Sequence, residues 1–321
     1  MKRAFLIVFV LIVCAASFAE NVRFKQFGTL IPARADLDVR WNLPSNTFPA
    51  KIWVYHLLPK KLSPQIISNL MTLCSFTDKD KTAKGDSLEF KSMDGTRRLR
   101  ISYLMGMIYY EAKIPFSPTN LVKGLPTEQN AIDLMKNLLP KIGVNLADLD
   151  KKTNKSEPDF HVSDSEWMTF VKPITITNTE WRGVSFRRAV DGISFSSIGT
   201  GGDGDIRFGD HGKIIKIDLS WRDMEREKLY LTLAPAMVIE SLREGKAVQG
   251  LLMMNSRGID WRTVKSVTVN QAWPCYYAGD RIQPSDSLEP FAVLDTVVDT
   301  GYGNVRVEID CPIIDETTVR K

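Results

Sequence analysis

The stretch Val184-Ser185-Phe186-Arg187-Arg188-Ala189-Val190-Asp191-Gly192-Ile193-Ser194-Phe195 decides the fold class. Asp-Gly between two extended arms is the strongest short signal for a β-hairpin with a tight turn. Toward the C-terminus, Ile206 and Phe208 lead into a second turn, Gly209-Asp210-His211-Gly212. Ile215, Ile217 and Leu219 then alternate with Lys216 and Asp218. That period of two predicts an antiparallel meander with one buried face.

Working upstream, Leu125-Pro126-Thr127 opens a helical pattern. Thr127 is the cap, Ala131, Leu134, Met135, Leu138 and Ile142 form one apolar stripe, and Gly143 stands where a helix ends left-handed. Pro140 distorts its last turn. Before it, Leu99, Ile101 and Tyr103 alternate with Arg98, Arg100 and Ser102, and 106–113 reads as the partner strand. Ser63-Pro64 caps and starts another helix, with Ile66, Ile67, Leu70, Met71 and Cys74 at helical spacing. A polar loop over 78–86 follows it. Lys51–Leu58 is strand-like, and 20–48, broken by Pro32 and Pro44, reads as an extended lead-in. Downstream, a helix over 235–244 ends at Gly245, and strands follow at 264–269, 291–298 and 305–311. Helix followed by antiparallel strands recurs along the chain. This order predicts an α+β fold with helices packed on antiparallel sheets.

The first residues predict export. Lys2 and Arg3 precede an apolar run from Ala4 to Val13, and Ser17-Phe18-Ala19 offers small residues for cleavage. The run is shorter than the about 20 residues that span a bilayer. Val13 before Cys14 does not fit a lipoprotein site. The expected division is a cleaved leader at 1–19, an α+β unit at 20–150, and a mostly antiparallel unit with one helix at 151–321. The formal net charge is +4, and loss of Lys2 and Arg3 with the leader leaves +2. So small a charge excludes nucleic acid as a partner and leaves the membrane only as a neighbour. Three cysteines remain after cleavage, an odd number: Cys74, Cys275 and Cys311. Cys275 and Cys311 are a candidate disulfide, if their Cα atoms come within about 7 Å. Cys74 lies on the apolar face of its helix and is expected to be a buried free thiol.

Several segments resemble a known group of proteins. The helix from Leu125-Pro126-Thr127 to Gly143 resembles the helix that opens PepSY-like modules. Phe186–Ile193 resembles the hairpin that follows it, Phe208–Ile214 the next hairpin, and Trp221 the tryptophan beyond. Leu288-Glu289-Pro290-Phe291 and Ile309-Asp310-Cys311-Pro312 are similar to the ending of YycI-like two-domain regulatory proteins. The matches are spread over 125–315, with unmatched gaps between them. The resemblance implies two PepSY/YycI-like units outside the cytoplasmic membrane of a bacterium. It implies no catalytic residues and no cofactor, and an envelope or secreted protein, such as a sensor kinase or a protease, as partner. YycI-like proteins are membrane-anchored, whereas this leader reads as cleavable.

Other chemistry has weaker support. His56, His161 and His211 form no ligand pair at helical spacing, and no Cys-x-x-Cys occurs. Gly199-Thr200-Gly201-Gly202-Asp203-Gly204-Asp205 lacks the Gly-Lys-Ser/Thr ending of a phosphate loop and reads as a glycine-rich connector. Asp203 and Asp205, with Asp210, are candidate calcium ligands, although the closing Glu of an EF-hand is missing. No Gly-x-Ser-x-Gly is present, and Asp223, Glu225 and Glu227 lie in a solvated stretch. Trp261, Trp273, Tyr276 and Tyr277 are candidate peptide- or glycan-binding residues if exposed, and core if packed between sheet and helix. The reading that results is an exported, non-catalytic protein that docks another protein through a sheet edge or face. The alternatives are a secreted carboxylate-dependent hydrolase and a glycan-binding or structural envelope protein.

Overall fold

The computed structural model describes residues 28–113, 122–151, 157–168, 177–196, 202–250, 259–279 and 284–315. The leader expected at 1–19 and Gly199–Gly201 lie outside them. The chain forms two compact units. A central unit comprises Tyr55–Glu227 and Asp280–Leu288, and a split unit the segments up to Val54, Lys228–Gly279 and Glu289–Lys321.

Two short strands, β1 (Gly28–Leu30) and β2 (Asp38–Trp41), precede β3 (Lys51–Leu58). Helix α1 (Pro64–Leu73) starts as its sequence dictates: Ser63 Oγ accepts from the Ile66 amide at 3.3 Å, with proline in the first turn. Four strands follow: β4 (Lys81–Lys84), β5 (Ser87–Lys91), β6 (Arg97–Ser102) and β7 (Met107–Ala112). Thr127 Oγ1 caps α2 (Glu128–Leu138), accepting from the Asn130 amide. Pro140 tightens the end into a 3-10 turn over Leu139–Ile142, and Gly143 closes it at φ 85°. Then come β8 (His161–Met168), β9 (Thr177–Arg187), the tiny hairpin β10–β11 (Ala189–Val190, Ile193–Ser194), β12 (Gly202–Phe208) and β13 (Ile214–Trp221). Asp191 and Gly192 both have positive φ, as the expected turn requires.

The central unit is thus built twice over as a helix and four antiparallel strands. Its sheet runs β4-β5-β6-β7-β13-β12-β9-β8, so the last long strands of the two halves, β7 and β13, pair at the centre. Joining them there removes two sheet edges and leaves β4 and β8 outermost. A boundary at 150/151 is therefore wrong: Tyr110 and Ile217, from either side of it, lie opposite each other. The helices cover one face. Leu70, Cys74, Ala131, Met135 and Leu138 pack on Phe90, Leu99, Ile101, Val184, Phe186, Ile206, Ile217 and Trp221. Leu134, expected in the stripe, is 40 % exposed. The 78–86 stretch contains β4, which its register with β5 creates despite a polar composition.

Beyond β14 (Asp223–Leu231), the split unit adds α3 (Pro235–Arg243), β15 (Val248–Gly250), β16 (Ser266–Gly279), β17 (Pro284–Asp299) and β18 (Asn304–Pro312). Its sheet runs β1-β15-β18-β17-β16-β2. The expected lead-in without regular structure instead supplies two strands, and β2 pairs with β16 in parallel, from Asp38–Ser266 to Trp41–Val269. The expectation of antiparallel sheets fails at that pair. Val238 and Leu242 of α3 pack on Val267, Val269, Ala292, Leu294, Val307, Ile309 and Cys311. The alternate residues Phe291 and Val293 gather with Cys275 and Tyr277 on the other face. Cys275 and Cys311 therefore lie on opposite sides of one sheet. Both are free thiols, and the candidate disulfide does not form. Cys74 is a buried free thiol as well.

Candidate functional site

The helix-free face of the central sheet holds the polar half of every alternating strand. Charge pairs order it: Arg98 with Glu89 across β6 and β5 at 2.7 Å, and, within single strands, Arg207 with Asp205 at 2.8 Å and Lys216 with Asp218 at 3.2 Å. Asp205 and Asp218 stand directly opposite each other across β12 and β13, an arrangement that repels. Each carboxylate is offset by a cation two residues away on its own strand. Arg207 also lies 4.0 Å above the Trp181 ring. At the β8 end of this face is a cleft of about 420 Å³, lined among others by Asp150, Asp159, His161, Arg187, Asp203 and Asp218. The Asp150 amide donates to the Arg187 carbonyl, and its carboxylate accepts from Ser194 Oγ at 2.6 Å, which fixes the cleft's floor.

One side of the cleft belongs to β8, through His161. That eight-residue strand pairs with β9 on one side, and among the described residues nothing pairs with its outer side. Its position is set by Asp164, which accepts two hydrogen bonds from Arg182 at 2.7 and 2.6 Å, while Arg182 Nη1 donates to the Pro126 carbonyl ahead of α2. The Arg182 hydrogen bonds hold the Asp164 carboxyl below the usual carboxylate range. The opposite edge, β4, is only four residues long and carries Lys81, features that blunt a sheet edge.

The expected calcium ligands do not converge. Asp203 and Asp205 are on the sheet face, but Asp210 is in the turn past the far end of β12, where it accepts from the Lys123 amide at 2.8 Å. No group of three residues suited to a metal occurs among the described residues. His161 does line the cleft. His211 sits in the same turn as Asp210 with φ 52°, its ring against Gly124.

The aromatic candidates are mostly core. Trp261 is buried, with Nε1 donating to Gln249 at 2.7 Å. Tyr276 is buried, with its hydroxyl donating to the Trp53 carbonyl, and Tyr277 belongs to the small cluster with Phe291. Trp273 is 39 % exposed. The four do not form an exposed row, because Trp261 precedes β16 and is buried, and β16 alternates the other three between its faces and covers both tyrosines.

Sequence reasoning missed two buried arginines in the central unit. Arg188 lies 4.9 Å from the Trp221 ring and 5.7 Å from Phe195, and its Nη1 donates to the Arg222 carbonyl at 2.6 Å. Burial lowers its pKa. Arg222 in turn donates to the Leu57 carbonyl at 2.9 Å. Next to them, Asp191 at the hairpin tip accepts from Tyr55 at 2.5 Å and from Arg226 at 3.0 Å. Burial first, and the bond to Asp191 second, push the Tyr55 hydroxyl up to about 12. The sequence signal was the Arg187-Arg188 pair: on a strand its members face opposite ways, so one of them had to point inward.

No family model matches the chain, and no curated protein matches it. Among solved structures it is similar to an uncharacterized protein from Eubacterium rectale, at 9 % identity over 90 % of this chain and 91 % of that one, with a TM-score of 0.49.

Proposed function

We propose that this chain is an exported, non-catalytic binding or regulatory protein that docks an extended segment of another envelope or secreted protein on the outer edge of β8. The observation that carries the proposal is the asymmetry of the two edges. The β4 edge is short and lysine-bearing, whereas β8 presents eight residues of backbone with no partner among the described residues. An open antiparallel edge accepts an extended peptide through main-chain hydrogen bonds, and adjoining pockets select its side chains. The cleft beside His161 supplies such a pocket. The repeated helix-and-four-strand unit supports the PepSY/YycI-like reading of this region, and the residues before Glu20 support export. On that reading a protease or a membrane sensor kinase is the expected partner.

The test is photocrosslinking in the host envelope, with the crosslinker at Ser163 on β8 and, as control, at Thr82 on β4. One protein captured at Ser163 and absent at Thr82 supports edge docking. Equal capture at both positions, or capture of nothing at either, refutes it.

The secreted hydrolase is the second reading, favoured by Asp205 opposite Asp218 beside a cleft. Each carboxylate is ion-paired, which leaves neither suited to act as a protonated general acid. Turnover of a glycoside by the mature protein that Asp218→Asn abolishes would establish this reading over the first.

A further inference from the structure

One side-chain row of the split unit contains a group that does not belong there. On the face away from α3, Leu30 of β1, Val248 of β15, Asp310 of β18 and Val293 of β17 lie side by side across four strands. Val248 and Val293 are buried, and Asp310 stands between them. Its Oδ1 is enclosed and has no hydrogen-bond partner among the described residues. A carboxylate in such a place lacks the donors that ionisation demands, so the neutral acid is the form that fits. Burial, with the like charge of Glu308 adding to it, pushes this carboxyl up to about 8.

The charged and titratable groups on this face come from three strands. Glu308 is two residues along β18, close to Gly250 of β15. Asp295 of β17 is bound by Arg306 through two bonds of 2.7 Å. Cys275 and Tyr277 of β16 lie beyond Val293. The residues of β1 and β15 on the row bring no titratable group. Among the described residues of these strands the cation on the face, Arg306, is engaged by Asp295, and Glu308 adds a like charge to Asp310. Nothing among the described residues offsets an ionised Asp310.

We infer that Asp310 is a proton-operated latch that holds the β1–β15 edge on β18. With its proton, the acid completes the apolar row. Without it, the carboxylate must reach water, and the seam that yields is the weakest one beside it. Among the described residues β15 is in register with β18 at Val248 and Gln249, whereas β17 runs along β18 from Phe291 to Asp299. Opening therefore detaches β15 together with β1, whose pairing among the described residues is with β15 alone, and uncovers the edge of β18. The latch is independent of any partner on β8.

Hydrogen exchange of the full chain between pH 6 and pH 9.5, corrected for the intrinsic rate, tests this. Protection over 247–250 and 29–31, relative to 291–299, is expected to fall roughly tenfold per pH unit up to the titration point and to level off above it, where the carboxyl is ionised in both the closed and the open form. Asp310→Asn should remove that fall. Glu308→Gln, which takes away the like charge, eases ionisation of Asp310 and should move the levelling-off to lower pH; a move to higher pH overturns the latch. A constant ratio in the wild-type chain, or an unchanged fall in Asp310→Asn, overturns the inference.

Discussion

Gly204 to alanine is the most demanding test of the central core. Gly204 is in the middle of β12 and faces the helices, a position where its neighbour Ile206 is fully buried. The tip of the Phe186 ring of β9 lies over it, so a Cβ there would overlap Cζ and come within 2.6 Å of Cε1. Its φ lies outside the left-handed region, so alanine is not strained by the backbone and the clash is the whole cost. The ring has little room to yield. Trp221 and Phe160 flank it with centroids at 6.0 and 6.3 Å. Overpacking typically costs 1–3 kcal/mol, and a ring hemmed in on two sides places Gly204→Ala at about 3 kcal/mol. Phe186→Leu alone should cost about 1–2 kcal/mol through the lost ring volume. Because it vacates the space the new methyl needs, the double variant should be more stable than the sum of the singles by at least about 1 kcal/mol. Urea unfolding followed by the near-ultraviolet aromatic signal measures all four proteins. A Gly204→Ala loss under about 0.5 kcal/mol, or the same loss in the Phe186→Leu background, would refute the reasoning.

Other expectations follow from single interactions. Thr127→Ala and Ser63→Ala each remove a helix cap and should lower stability by about 1 kcal/mol in thermal melts. Arg188→Ala should cost about 3 kcal/mol by emptying the space between Trp221 and Phe195, while Arg188→Met, which refills it without a charge, should stay within about 1 kcal/mol of wild type. The Asp310 carboxyl keeps its proton in the folded chain up to about 8 but releases it near 3.8 when unfolded. The unfolded state thus holds fewer protons between these values, and stability should fall as pH rises from about 4 to about 8, by roughly 5 kcal/mol in all. Denaturant titrations across that range should show the slope, and Asp310→Asn should flatten it.

The glycine-rich run shows why part of the site stayed hidden in the sequence. Gly202-Asp203-Gly204-Asp205 reads as a connector because glycine weakens strands. In the folded chain the same residues are the start of β12, with Phe195 and Phe186 covering the two glycines and both aspartates turned to the polar face. The rings that replace the missing side chains come from β9 and from Phe195 next to the small hairpin, and no local pattern announces a partner on another strand. The calcium reading failed for the related reason that nearness in sequence does not place Asp210 beside Asp203. The edge role of β8 was equally invisible, since strand order, not strand composition, decides which strand is outermost.

What the sequence determined by itself was local. Ser63 and Thr127 as caps, Gly143 and Gly245 as stops, the Asp191-Gly192 turn and the two-residue alternation of β6, β13 and β18 all depend on interactions within a few residues. They survive unchanged in the structure. Tertiary structure decided the rest. It joined β7 to β13 across the expected boundary, paired β2 with β16 in parallel, drew Trp261 and Tyr276 inside, and set Cys275 and Cys311 on opposite faces. Each of these depends on which distant strands share a sheet and which face of it is covered. That is settled by burying the most apolar surface with the fewest open edges, a property of the whole chain and of none of its segments.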